Sequence, residues 1–105
     1  MDFKKLAENL GLDEDEYMEL IELFVETGLV DLDKLGSAVE REDLDEAAKA
    51  AHSLKGASGN LGLMEIYELA KSAEDKARMN DLDALAQIMQ SIKQRLDAMA
   101  AIAPK

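Results

Sequence analysis

Apolar residues recur three and four positions apart in four long segments of the chain, which is the spacing of one buried helix face. The first segment begins after an N-cap at Asp13 and extends to about Arg41, and its apolar phase continues through Gly28. We therefore predict one long helix. The alternative is a break near Thr27 and Gly28, because a mid-helix glycine costs roughly 1 kcal/mol relative to alanine.

Three further helical segments follow, separated by short polar links. The pattern predicts helices over residues 44–59, 63–79 and 82–100, with Asp43 and Asp81 as N-caps of the first and last. The first of these three segments is rich in alanine, and the last has the most regular apolar stripe. Short links between long helices favour antiparallel neighbours.

A short helix is predicted over residues 3–10, ending at the C-cap glycine Gly11 and covering one end of the other helices. Residues 104–105 are expected to form a frayed tail. Together these elements predict an all-α fold, an antiparallel up-and-down four-helix bundle over about residues 14–100 with a short extra N-terminal helix. A chain of this length builds one core, so we predict a single domain over residues 1–105.

Composition and charge exclude several classes of function. The net charge of −11 disfavours nucleic acid and membrane surfaces as partners, because both are polyanions that attract clustered Lys and Arg. The absence of Cys removes disulfides, thiolate nucleophiles and Cys-based zinc sites, and the acidic clusters lack an EF-hand pattern, so no metal site is predicted. No signal peptide or membrane-spanning segment is seen, which makes a cytoplasmic location the expectation.

His52 is the single histidine of the chain. At about 100° per residue it lies roughly 130° from the centre of the apolar arc of its own helix, so it is expected to face solvent. A neutral imidazole has a nucleophilic nitrogen, and a phosphorylated imidazole has a good leaving group, which suits reversible transfer. An exposed histidine taken alone more often has no role, so its neighbours decide the interpretation.

Small residues surround His52 on its face of the helix. Ala48 and Gly56 lie four residues away and Gly59 seven, and bare backbone there would let a partner surface approach the imidazole. For Gly59, tight helix packing or a helix-ending role is an equally good interpretation. Lys55 lies one turn beyond His52 and could offer its positive charge to phosphoryl oxygens.

The segment over residues 51–62 closely resembles the signature of histidine-containing phosphotransfer domains of multistep phosphorelays. That signature is His-x-x-Lys-Gly, followed by small residues and a hydrophobic-Gly pair. A weaker resemblance extends from about residue 16 to residue 100 and includes Glu74. The positions that meet the signature here are His52, Lys55, Gly56, Leu61 and Gly62.

The resemblance implies a four-helix bundle in which His52 is the phosphorylated residue. It also implies that Lys55 contacts the phosphate, that Gly56 opens the space beside it, and that Gly62 is a structural turn residue setting the next helix. The departures from the family pattern are small: Ala73 replaces a larger aliphatic residue, and the long helix contains Gly28 and Gly36.

The expected function is that of a phosphorelay intermediate, which carries a phosphoryl group on His52 between receiver-domain aspartates of response regulators and hybrid sensor histidine kinases. Such a carrier has no catalytic machinery of its own, needs no cofactor, and relies on Mg²⁺ bound by the receiver. A monomer is expected. The alternatives are the phospho-accepting module of a chemotaxis-type histidine kinase, and a docking bundle that transfers no phosphate.

Overall fold

The computed structural model describes residues 2–102, and every regular element in this range is an α-helix. The predicted all-α fold, its short N-terminal helix and the unbroken long helix are confirmed. The predicted tail at residues 104–105 lies outside the described range. No helix within that range is long and apolar enough to cross a membrane. The helices are α1 (Phe3–Asn9), α2 (Glu14–Glu40), α3 (Leu44–Asn60), α4 (Met64–Arg78) and α5 (Leu82–Ile102).

The first four helices end in the same way. Each is followed by a residue with positive φ, and the amide of the next residue donates a hydrogen bond to a carbonyl five positions earlier, which closes the last helical turn. At three of these turns an aspartate side chain then accepts a hydrogen bond from the first turn of the following helix. The residues with positive φ are Gly11, Glu42, Gly62 and Asn80.

The four long helices form a closed ring. Helix α2 packs on α3, α3 on α4, α4 on α5, and α5 returns to α2, while α1 packs against α2. With links of three residues, this order gives the predicted antiparallel up-and-down bundle. The Tyr17 hydroxyl donates to the carbonyl of Leu61 at 2.6 Å, so the start of α2 is tied to the link between α3 and α4.

Gly28 does not interrupt α2, because the missing side chain lets neighbouring helices approach. A Cβ atom placed there would lie 3.2 Å from Leu96 Cδ2 and 3.5 Å from Leu54 Cδ1, on α5 and α3. The two leucines are almost fully buried and occupy the space that a side chain on α2 would need. Their packing offsets the poor helix propensity of glycine.

Candidate functional site

His52 lies midway along α3 and points away from the core. Its side chain is 65% exposed, which confirms the solvent-facing position predicted from the helical wheel. The opposite side of α3 is buried and consists mainly of alanine, together with Leu54 and Ser58. The core therefore holds the helix, and with it the position of the imidazole.

A buried carboxylate on the neighbouring helix contacts the imidazole. Glu74 of α4 is only 6% exposed, and its Oε2 atom lies 3.1 Å from His52 Nδ1. Lys55 Nζ donates to the other oxygen, Oε1, at 2.8 Å, and Arg78 Nη2 donates to Oε2 at 2.9 Å. Glu74 thus joins the histidine and two cations in one cluster.

The pKa of Glu74 is lowered from its ordinary value of 4.5 to about 2. The hydrogen bond from Lys55 is the largest cause, and that from Arg78 acts in the same direction, while burial opposes both. The same Lys55–Glu74 hydrogen bond raises the pKa of Lys55. At neutral pH the cluster therefore contains one carboxylate and two cations, so these three side chains carry a net charge of +1 in an acidic protein.

The small residues near His52 do not share one role. Gly56 is exposed, and a Cβ atom there would meet nothing within 4 Å, so open space adjoins the imidazole. A Cβ atom at Gly59 would lie 3.0 Å from Cδ1 of Tyr67, which supports the helix-packing interpretation of that glycine. Gly62 has φ +74° and occupies the turn before α4.

The prediction that Ala48 belongs to the partner-accessible surface is wrong. Ala48 is 4% exposed, although it shares a helix face with His52. Helix α3 packs more extensively against α4 than against any other helix, and small side chains let the two helices come close. That close approach covers Ala48 but leaves the longer side chain of His52 extending into solvent.

Arg78 is a site residue that the sequence did not reveal, and the resemblance included Glu74 without giving it a role at the site. Helical spacing places Lys55 near His52, but it says nothing about side chains on another helix. A signal was present in α4, where Glu74 adjoins a buried stripe of alanines and precedes Arg78 by one turn. A stripe of small residues indicates that another helix packs closely against it. A carboxylate at the edge of that stripe is then buried and needs hydrogen-bond partners from the neighbouring helix. The alanines of that stripe are Ala70, Ala73 and Ala77.

Metal ligation finds no support in the described part of the chain. Among residues 2–102, no three side chains of the His, Cys, Asp or Glu type converge closely enough to hold an ion. The cluster itself contains one carboxylate whose two oxygens already accept hydrogen bonds from cations.

Comparisons with known proteins show which family this chain belongs to. The family model of the Hpt domain matches residues 19–102. The fold is similar to the crystal structure of histidine-containing phosphotransfer protein B (HptB) from Pseudomonas aeruginosa PAO1, with a TM-score of 0.82 and 26% sequence identity. That match covers 97% of this chain and 89% of the other. No match was found among curated proteins. Because the family model spans most of the sequence, this chain belongs to the Hpt domain family, and its role is histidine phosphotransfer in a phosphorelay.

Proposed function

We propose that this domain carries a phosphoryl group on Nε2 of His52 and exchanges it with the aspartates of receiver domains in response regulators and hybrid sensor histidine kinases. The observation that carries this proposal is the contact between His52 Nδ1 and the carboxylate of Glu74, made by an imidazole that is otherwise open to solvent. One ring nitrogen is held by the protein, and the other is free to react.

Glu74 selects which nitrogen reacts. With a pKa of about 2, its carboxylate is ionised at neutral pH and can only accept hydrogen bonds. The neutral imidazole must therefore carry its proton on Nδ1 and direct that N–H at Oε2. The lone pair is then on Nε2, the nitrogen on the side of the ring away from Nδ1, where a partner can approach.

The transfer needs no proton to be moved. The Nε2 lone pair of His52 attacks the phosphorus of an aspartyl phosphate, a P–N bond forms, and the P–O bond breaks with its electron pair leaving on the aspartate. The proton stays on Nδ1, and the positive charge that develops on the ring faces the Glu74 carboxylate. The reverse reaction follows the same path, because the protonated ring is a good leaving group.

Lys55 and Gly56 support this step in different ways. Lys55 lies one turn from His52 on the same helix, and its positive charge stabilises the phosphoryl oxygens while it also holds Glu74 ionised. Gly56 adds no side chain to the surface beside the imidazole, so a receiver domain can come close.

In this proposal the domain is a carrier, and the chemistry is driven by its partner. The receiver supplies the aspartate and the Mg²⁺ that binds the phosphoryl oxygens, and the carrier needs no cofactor. We also propose that the domain works as a monomer in the cytoplasm, where such receivers act. Size-exclusion chromatography with light scattering tests the monomeric state.

The function is tested by incubating the protein with a phosphorylated receiver domain and Mg²⁺. We expect acid-labile, base-stable phosphate on the wild-type protein and none on His52→Gln. The matched control is Ser53→Ala, which removes the neighbouring exposed hydroxyl and should leave labelling intact. Undiminished labelling of His52→Gln, or acid-stable phosphate that disappears in Ser53→Ala, contradicts the proposal.

A further inference from the structure

Tyr67 differs from the other aromatic residues of the chain in its surroundings. All four aromatic side chains lie within the described residues, and three of them are buried, whereas Tyr67 on α4 is half-buried. Tyr17 donates a hydrogen bond to the Leu61 carbonyl, but the Tyr67 hydroxyl has no such partner within residues 2–102. Since no polar side-chain atom in that range is buried without a partner, the Tyr67 hydroxyl is open to solvent. Tyr67 therefore offers a binding partner both an apolar ring and a hydrogen-bonding group.

The ring of Tyr67 is held in a notch on α3. A Cβ atom at Gly59 would lie 3.0 Å from Cδ1 and 3.3 Å from Cε1 of the ring, so the ring occupies the space of the missing side chain. Because this packing fixes the ring before any partner binds, a contact with the ring costs less conformational entropy. The glycine that lets α3 and α4 pack thus also fixes an aromatic side chain at the surface.

Tyr67 lies on the same face of the bundle as the phosphotransfer site. It precedes Glu74 on α4 by seven residues, and Gly59 follows His52 on α3 by seven residues. Seven residues are two helical turns, so the ring lies about 10 Å from the site along the helix axes. Between the two, Gly56 is exposed and adds no side chain, so nothing on α3 separates the imidazole from the ring of Tyr67.

The usual size of a protein–protein interface brings Tyr67 within reach of a receiver that reacts with His52. A standard interface buries about 800 Å² on each partner, which corresponds to a disc of about 16 Å radius. A receiver whose aspartate reaches the imidazole therefore covers surface about 10 Å away along α3. The direction toward Tyr67 is the favourable one. Seven residues before His52 lies Asp45, an exposed carboxylate that repels a phosphorylated partner.

We propose that Tyr67 is a recognition residue for the receiver domain: its ring packs against an apolar side chain beside the receiver's aspartate, and its hydroxyl donates a hydrogen bond to the receiver. This inference rests on the proposed function of His52. Tyr67 takes no part in forming or breaking the P–N bond. It strengthens the binding of the receiver, as rigid aromatic side chains do in other interfaces, and Gly59 holds it in position.

The experiment compares two phosphoryl donors, of which only one must dock. Phosphoramidate is a small molecule: its P–N bond breaks, ammonia leaves, and a new P–N bond forms at Nε2 of His52. A phosphorylated receiver with Mg²⁺ delivers the same group through a protein interface. We expect Tyr67→Ala to raise the KM for the phosphorylated receiver about tenfold, the range for an aromatic residue at an interface, and to leave kcat within about twofold. The ratio of receiver-driven to phosphoramidate-driven labelling should fall accordingly.

Further variants separate recognition from folding. Tyr67→Phe keeps the ring and loses only the hydroxyl, so the KM should rise about threefold. Gly59→Ala displaces the ring and should also raise the KM, but it should add nothing once Tyr67 is replaced by alanine. Gln94→Ala is the control, because it changes an exposed residue of α5, the helix diagonal to α3 in the bundle, and it should keep the wild-type KM. Urea unfolding checks that each variant is folded.

The outcomes distinguish this inference from the function on which it rests. If a phosphorylated receiver does not label His52 of the wild type, the proposed function fails and the inference fails with it. If the wild type is labelled, but Tyr67→Ala and Tyr67→Phe keep its KM for the receiver, only the role of Tyr67 is overturned. That role is also overturned if Tyr67→Ala slows both donors equally at an unchanged KM, because Tyr67 would then act on the reaction itself. If Tyr67→Ala is unfolded, Tyr67→Phe and Gly59→Ala decide in the same way.

Discussion

Glu74 is a charged residue in a buried position, and its charge makes stability depend on pH. Its pKa is about 2 in the folded protein, against an ordinary value of 4.5. Because its pKa is lower in the folded protein than in the unfolded chain, the ionised Glu74 carboxylate stabilises the fold. This contribution is complete above pH 4.5 and disappears as the pH falls from 4.5 to 2. One pKa unit corresponds to about 1.4 kcal/mol, so full protonation of Glu74 removes about 3.5 kcal/mol of stability at most.

We expect the free energy of unfolding of the wild type to fall more steeply between pH 4.5 and pH 2 than that of Glu74→Gln, which has no carboxyl group to protonate. Urea unfolding at a series of pH values measures both. Glu65→Gln is the matched control, since Glu65 also pairs with an arginine but is exposed, and it should follow the wild type. Equal slopes for the wild type and Glu74→Gln would show that the carboxylate is not stabilised by its cations.

Gly56 and Gly59 differ in the space around them, so alanine should have opposite effects at the two positions. At Gly56 the new Cβ meets nothing, and alanine should raise the free energy of unfolding by about 1 kcal/mol through helix propensity. At Gly59 the Cβ would press on the ring of Tyr67 at 3.0 Å, so we expect no gain or a loss. Urea unfolding measures both. If Gly56→Ala is more stable but transfers phosphate more slowly, Gly56 lies in the surface that the partner contacts. Equal stabilisation of both variants contradicts the packing assigned to Gly59.

The exposure of His52 could be predicted because it depends on the angular position of one residue on one helix. The environment of His52 could not be predicted, because a helical wheel does not say which residues of the next helix face His52. Glu74 and Arg78 lie on that next helix. The same limit explains the error at Ala48. Its angle is close to that of His52, but how far α4 covers α3 depends on the small residues at their contact.

At the scale of the helices, the boundaries followed from local signals. The aspartate caps and the glycines Gly11 and Gly62 are visible in the sequence, and the structure uses them. The positive φ of Glu42 has no such signal. The continuity of α2 through Gly28 could be predicted from the unbroken apolar phase. Why this position holds a glycine could be understood only from the packed structure, because the space there is filled by Leu54 and Leu96 from two other helices.

The two glycines inside α2 provide a matched test of that packing. At Gly28 an added Cβ would lie 3.2 Å from the buried Leu96, which cannot move easily, so we expect Gly28→Ala to lower the free energy of unfolding by about 1 kcal/mol despite better helix propensity. At Gly36 the nearest atom is the flexible end of Met89 at 3.5 Å, and Gly36→Ala should be stabilising by about 1 kcal/mol. Urea unfolding compares them; a stabilised Gly28→Ala would mean that α2 does not need close approach there.

At the scale of the molecule, two electrostatic effects oppose each other. The chain has 23 acidic and 12 basic residues, so repulsion among carboxylates destabilises the folded state. Exposed ion pairs act in the other direction, but each contributes only about 0 to 1 kcal/mol, and the pairs outside the Glu74 cluster are well exposed. Because the excess of acids is large and the exposed pairs are weak, repulsion should dominate the response to salt.

We therefore expect the melting temperature to rise when NaCl is increased from 10 mM to 200 mM. The screening length falls from about 30 Å to below about 10 Å over this range, whereas the bundle measures 42 × 23 × 17 Å, so salt removes repulsion across the molecule. The variant Glu19→Gln/Glu26→Gln removes two exposed acids from α2, and it should melt higher at low salt and respond less to NaCl. KCl should give the same result as NaCl, because the effect is screening and not ion binding. A melting temperature that falls with salt would mean that attraction within ion pairs outweighs the repulsion. The ion pairs of the Glu74 cluster would then be the first candidates for that attraction, because the Glu74 carboxylate is buried and is screened least by salt.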